Sequence, residues 1–119
     1  MSISLNISLV TSLANETPIN LSPGSQAITK NGIGKYSLTA SVGTSEKSLT
    51  SFGELTTQGI CVLRNTDTAN FVKWGFSTGV YGGKIKAGET YCFRMEPSAD
   101  LYLIADTATC LVDVDILED

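Results

Sequence analysis

Apolar and small polar residues alternate along most of this chain, and the alternation has a period of two. The opening segment sets the pattern. Ile3, Leu5, Ile7 and Leu9 fall on one side, and Ser2, Ser4, Asn6 and Ser8 on the other. Successive side chains of a strand point to opposite faces, so this spacing predicts a half-buried strand over residues 2–11. The next stretch, 12–25, holds Asn15, Pro18, Pro23 and Gly24 and reads as a loop with a short strand near 19–21. A strand over 26–30 ends at the turn signal Asn31-Gly32. Alternation resumes at Tyr36, Leu38, Ala40 and Val42, and a short strand fits 48–52.

The second half is denser in apolar residues. Strands are predicted over 59–65, 71–77, 84–86, 90–95, 101–105 and 110–117, the last two as a hairpin around Asp106-Thr107-Ala108-Thr109. The expected core is Ile60, Val62, Val72, Trp74, Phe76, Tyr91, Phe93, Leu101, Leu103, Val112, Val114 and Ile116. Eight to ten short strands at this spacing predict an all-β fold, a two-sheet antiparallel sandwich resembling a jelly roll. No repeat or linker divides the chain, so one sandwich domain is expected over 1–119.

Composition narrows the function classes. Net charge is −4, and the eight basic residues are scattered, with Lys84 and Lys86 the one close pair. That balance argues against nucleic acid as a partner, since its affinity rests on clustered Lys and Arg. No apolar run is long enough to cross a membrane, and no basic, apolar leader opens the chain. The chain contains no His. Ser-His-Asp and Cys-His systems are therefore out, and so are most catalytic zinc sites. Cys61, Cys92 and Cys110 are odd in number and lack CxxC spacing, so reduced, unpaired thiols are expected. Asp113 and Asp115 alternate with Val112, Val114 and Ile116. They are read as the solvated, aggregation-blocking face of an edge strand rather than as a glycosidase pair or a calcium site. No catalytic residue, cofactor or metal site is assigned, and the protein is expected to be a non-enzyme.

Two features remain as candidate binding surfaces. Residues 1–15 carry a single polar-faced strand and no charge before Glu16. An unprotected strand of this kind pairs with other chains unless something blocks it. Ser2, Ser4, Asn6 and Ser8 are thus a candidate subunit interface, with a homo-oligomer, a trimer or other ring, as the expected assembly. Tyr81 sits in the glycine-rich stretch 78–83 and is a candidate ligand or partner contact. Trp74, Tyr81 and Tyr102 are the aromatics that could stack on a sugar, with Trp74 assigned to the core by its position between Val72 and Phe76.

The order of motifs over 59–119 resembles small virion proteins of tailed bacteriophages. An apolar strand enters an Asn-rich loop (Val62-Leu63-Arg64-Asn65-Thr66-Asp67-Thr68-Ala69-Asn70-Phe71-Val72). A glycine-rich loop and an Ile-x-x-Gly-Glu turn (Ile85-Lys86-Ala87-Gly88-Glu89) follow. Next come an aromatic strand with an Arg (Tyr91-Cys92-Phe93-Arg94) and a closing apolar hairpin over 101–116. The resemblance implies a structural virion protein, a capsid decoration or cement protein, made in the host bacterial cytoplasm. It implies repeated copies and contacts with the major capsid protein or with tail proteins. The alternative carried with it is a tail or adhesion component with a carbohydrate-binding sandwich.

Overall fold

The computed structural model describes residues 2–10 and 20–119, and among them every regular element is a strand. No helix of the described residues is long and apolar enough to cross a membrane. The chain divides into two compact units, Met1–Asn31 and Gly32–Asp119.

The first unit is a two-stranded antiparallel ribbon of β1 (Ser2–Val10) and β2 (Asn20–Thr29). The part of the expected 12–25 loop before Asn20 lies outside the described residues. From Asn20 onward the chain is strand, despite Pro23 and Gly24. The register explains how. Ile7 faces Gly24 and Leu9 faces Leu21, so two β2 residues oppose Ser8 alone. Such a bulge accommodates a proline that cannot donate to the ladder. Gly24 takes φ +86°, a conformation open to glycine at no steric cost.

The second unit is a sandwich of eight strands. They are β3 (Lys35–Val42), β4 (Lys47–Leu49), β5 (Gln58–Asn65), β6 (Val72–Gly75), β7 (Gly83–Ile85), β8 (Thr90–Arg94), β9 (Leu101–Ala105) and β10 (Cys110–Glu118). One sheet has the order β3-β10-β5-β8 and the other β4-β9-β6-β7. Counted from β3 as the first, these orders are 1-8-3-6 and 2-7-4-5, the double Greek key of a jelly roll. Within this unit, among the described residues, β6 and β7 alone are both consecutive and paired. The expected closing hairpin is therefore not one. β9 and β10 follow each other in sequence but lie in different sheets, and β10 pairs with β3 and β5.

Both sheets contribute to one core. Val42, Leu63, Val112, Val114 and Ile116 come from one, and Val72, Ile85, Leu101 and Leu103 from the other, all fully buried. Each such side chain contributes about 1.5–3 kcal/mol through removal of apolar surface from water. The strand β5 is apolar on both faces. The expected core positions Ile60 and Val62 differ accordingly: Ile60 is buried, Val62 half-buried, and the fully buried row is Cys61, Leu63 and Asn65. Phe76 (43% exposed) and Tyr91 (45%) are not core residues. Phe76 lies just beyond the end of β6, and Tyr91 sits on β8, an edge strand.

Asn65 is the one fully buried polar side chain with a large share of the loop architecture. Its Nδ2 donates to the carbonyls of Asn70 (2.9 Å) and Ile85 (3.1 Å), and its Oδ1 accepts from the N–H of Asp67 (3.0 Å). The Asp67 carboxylate in turn accepts the N–H groups of Ala69 and Asn70, which hold it below the usual carboxylate range. The Ile-x-x-Gly-Glu turn is a tight one. The Glu89 N–H donates to the Lys86 carbonyl, and Gly88 at φ +78° fills the position that requires positive φ.

Candidate functional site

Four surfaces bear on the sites expected from the sequence. The ribbon comes first. Its pairing puts Ile3 opposite Ile28, Leu5 opposite Gln26, and Leu9 opposite Leu21. Residues directly opposite share a face, so these side chains form one largely apolar face of a two-stranded sheet, with Gln26 its polar member. Ile7 is 45% exposed, Leu9 58% and Leu21 56%. On the other face, Ser4 Oγ lies 2.6 Å from Ser25 Oγ, Ser8 Oγ 3.0 Å from Ser22 Oγ, and Asn6 is paired with Ser25. Hydroxyls of the expected interface are therefore engaged within the ribbon. The unsatisfied surface is the apolar face of a strand that the alternation predicts to be half-buried. For Ser2 the structure gives the backbone pairing with Thr29.

The second surface is the outer face of the β3-β10-β5-β8 sheet. Thr39 Oγ1 donates to Asp113 (2.9 Å), Ser37 Oγ donates to Asp115 (2.5 Å), and Lys35 Nζ lies 3.6 Å from Asp115. The strand β10 lies between β3 and β5, so these aspartates do not guard an edge as expected. Cross-strand hydroxyls surround them, and each carboxylate is already an acceptor. Among the described residues, no cluster of three or more His, Cys, Asp or Glu side chains could hold a metal ion.

The third surface is the end of the sandwich where the two sheets meet at their aromatic strands. Trp74 of β6 stacks on Phe93 of β8, centroids 4.5 Å apart and planes 3° from parallel. Phe76 packs edge-on to both rings at 5.7 Å. Trp74 is thus occupied by protein contacts, in agreement with its assignment as a packing residue. A Cβ on Gly83 would come 2.2 Å from the indole, so the bare backbone there is what lets the ring lie flat.

Tyr81 defines the fourth surface. Its hydroxyl donates a short hydrogen bond to Glu46 Oε2, and the same oxygen accepts the Gly79 N–H at 2.8 Å. The two donors hold the Glu46 carboxyl below its ordinary range, and the carboxylate pushes the Tyr81 hydroxyl up to about 12. A residue 35 positions away therefore pins the glycine-rich loop. Tyr81 is half-buried and lines a concavity of about 440 Å³ together with Gly79, Gly82, Gly83 and two lysines, Lys73 and Lys84. From sequence Lys84 stands out only as half of the close pair with Lys86, and Lys73 and Glu46 carry no signal. Lys73 and Lys84 are separated by a glycine-rich loop, and only the β6–β7 register brings them together.

The three thiols are free. Cys61 is buried, which pushes its thiol up to about 12, whereas Cys92 is half-buried. Only the thiolate reacts readily. Under native conditions Cys92 is expected to be alkylated first, with Cys61 and Cys110 protected. After denaturation without reductant, mass spectrometry should find three modified cysteines. Equal native rates at all three would contradict the burial pattern.

Compared with known protein families, curated proteins and solved structures, the chain matches none of them.

Proposed function

We propose that this chain is a non-enzymatic structural protein of a tailed-phage virion, a capsid decoration or cement protein that works as a homo-oligomer. The observation that carries the reading is the apolar face of the β1–β2 ribbon. A two-stranded ribbon by itself is marginal in water, because its apolar face has no second sheet within the same unit to pack on. Contiguous exposed apolar surface of this kind marks a protein–protein contact. Ile3, Leu5, Ile7, Leu9, Leu21 and Ile28 supply that surface without a single charge among them. The jelly-roll strand order adds support at the level of fold, since it recurs in capsid and lectin domains. The motif order over 59–119 supplies the phage assignment.

The expected partner of the ribbon is the ribbon of another copy, with a trimer as the expected assembly, and the capsid surface as the partner of the ring. The test uses the full chain and a variant with Ile7→Asp and Leu9→Asp. Both side chains are exposed, so the sandwich should keep its circular dichroism spectrum. Light scattering should report a threefold drop in mass, and the variant should no longer bind virions purified without the protein. A wild-type chain that stays monomeric at high concentration and ignores such particles would defeat the reading.

A further inference from the structure

The β6–β7 hairpin sets Lys73 directly opposite Lys84. Like charges in that relation destabilise a sheet, and sequences ordinarily answer with an acid on the neighbouring strand. Here the next strand answers with Ile104, the cross-strand partner of Lys73 on β9. Among the described residues, neither ammonium has a carboxylate within ion-pair distance. Both instead approach one aromatic ring. Lys84 Nζ lies 4.1 Å from the centroid of Phe71, and Lys73 Nζ 6.0 Å. An exposed contact of this kind is weak, so it steers the ammonium groups without neutralising them.

The surroundings are built rather than incidental. Beside the 440 Å³ concavity lies a second of about 280 Å³, which shares Lys73 and Tyr81 and adds Phe71, Ile104 and Asp106. Together they form a shallow trough on the outer face of the β4-β9-β6-β7 sheet, with Phe71 and Tyr81 on its wall, Lys73 lining both parts and Lys84 the larger one. Tyr81 is held before any ligand arrives, by its bond to Glu46 and by the Gly79 N–H on the same carboxylate. Preorganisation of this kind reduces the ordering cost of binding.

We infer that the trough binds an anionic sugar, with the carboxylate or phosphate between Lys73 and Lys84 and the sugar ring against Tyr81. Two adjacent ammonium groups without a counter-ion fit a single compact anion. Aromatic walls suit the apolar C–H face of a pyranose, and the carboxylate of Asp106 can accept sugar hydroxyls. A nucleic-acid strand fits poorly. Asp106 lines the trough, the Glu46 carboxylate is bonded to Tyr81, and the chain carries a net charge of −4, all of which oppose a chain of phosphates. This site is independent of the ribbon, so assembly can fail while sugar binding holds, and the reverse.

The experiment is titration of the isotope-labelled full chain, followed by amide chemical shifts and calorimetry, with four probes. These are trigalacturonate, its neutral methyl ester, glucose 6-phosphate and a single-stranded oligonucleotide. Trigalacturonate or glucose 6-phosphate should shift resonances of Phe71, Lys73 and 79–84, and comparison of the two tells carboxylate from phosphate. The methyl ester should bind at least roughly tenfold more weakly, the value of one charge-assisted hydrogen bond. Lys73→Gln with Lys84→Gln should weaken the acidic sugar by a similar factor or more, while the melting temperature holds or rises as the repulsion is relieved. Tyr81→Ala should weaken both the acidic sugar and the ester. Equal affinity for acid and ester, an unaffected double variant, no shift with either anion at millimolar concentration, or tighter binding of the oligonucleotide would each overturn the inference.

Discussion

Replacing Asn65 by Leu is expected to cost about 3–4 kcal/mol, the largest effect of any single side chain in the sandwich that carries no core-filling role. Leucine has the branching and the side-chain heavy-atom count of asparagine, with bulkier methyl groups, so no cavity opens. The loss is polar. The Asn70 and Ile85 carbonyls lose their side-chain donor and the Asp67 N–H its side-chain acceptor, at a position with no access to water. Each buried group left unpaired costs about 1–3 kcal/mol. The backbone of the same residue is tied at both ends, its N–H to Glu89 and its carbonyl to the N–H of Gly88. Asn65 thus joins the β5–β6 loop to the β7–β8 turn. Asn70→Ala is the control, since the side chain lost there bonds Thr107 Oγ1 on the surface. It should cost under about 1 kcal/mol. Urea denaturation of the three proteins measures both values. A loss below about 1 kcal/mol for Asn65→Leu would show that the loop repacks freely.

Gly75→Ala is expected to be nearly as damaging, at about 2–3 kcal/mol, and to act on the trough as well as on stability. A Cβ at Gly75 would sit 2.0 Å from the Val80 carbonyl oxygen and 3.0 Å from Tyr81 Cα. These are backbone atoms, so no rotamer change relieves the clash. The loop is held close by the bond from Gly82 N–H to the Trp74 carbonyl and by the bridge between Ser77 and Val80. One of these must break, which puts the change in the overpacking range of about 1–3 kcal/mol. Tyr81 moves with the loop, so its bond to Glu46 should be lost. Thermal melting reports the first effect. Ultraviolet titration of the tyrosines reports the second, as the one raised to about 12 returns towards the ordinary range. Gly79→Ala serves as comparison. Its Cβ meets nothing within 4 Å, but its φ of +71° makes the change a strain on backbone alone. Equal melting temperatures for wild type and Gly75→Ala would remove the proposed contact from consideration.

Much of the fold was legible in the sequence because its information is local. Alternation in β10, with Val112, Val114 and Ile116 buried and Asp113 and Asp115 between them, marks both the strand and its inward face. The strand Leu101–Ala105 has the bounds that its pattern predicts. The double Greek key fits the expected jelly-roll-like sandwich. Alternation becomes ambiguous where both phases are apolar. In β5, Ile60 and Val62 compete with Cys61 and Leu63, and only the neighbours β10 and β8 decide which row turns inward.

The candidate sites were less legible, and the reason is the same. Period two sorts side chains onto two faces but says nothing of what each face meets. By itself, the sequence determined that Ile3, Leu5, Ile7 and Leu9 share a face, that no histidine chemistry is available, and that residue 81 is a tyrosine in a glycine-rich loop. Tertiary structure alone decided that β1 pairs with β2 in a two-stranded ribbon, a unit distinct from the eight-stranded sandwich. It decided that Asp113 and Asp115 lie on a central strand, and that Lys73 faces Lys84. Strand order and register are set by contacts between residues far apart in the chain, and no short window of sequence carries them.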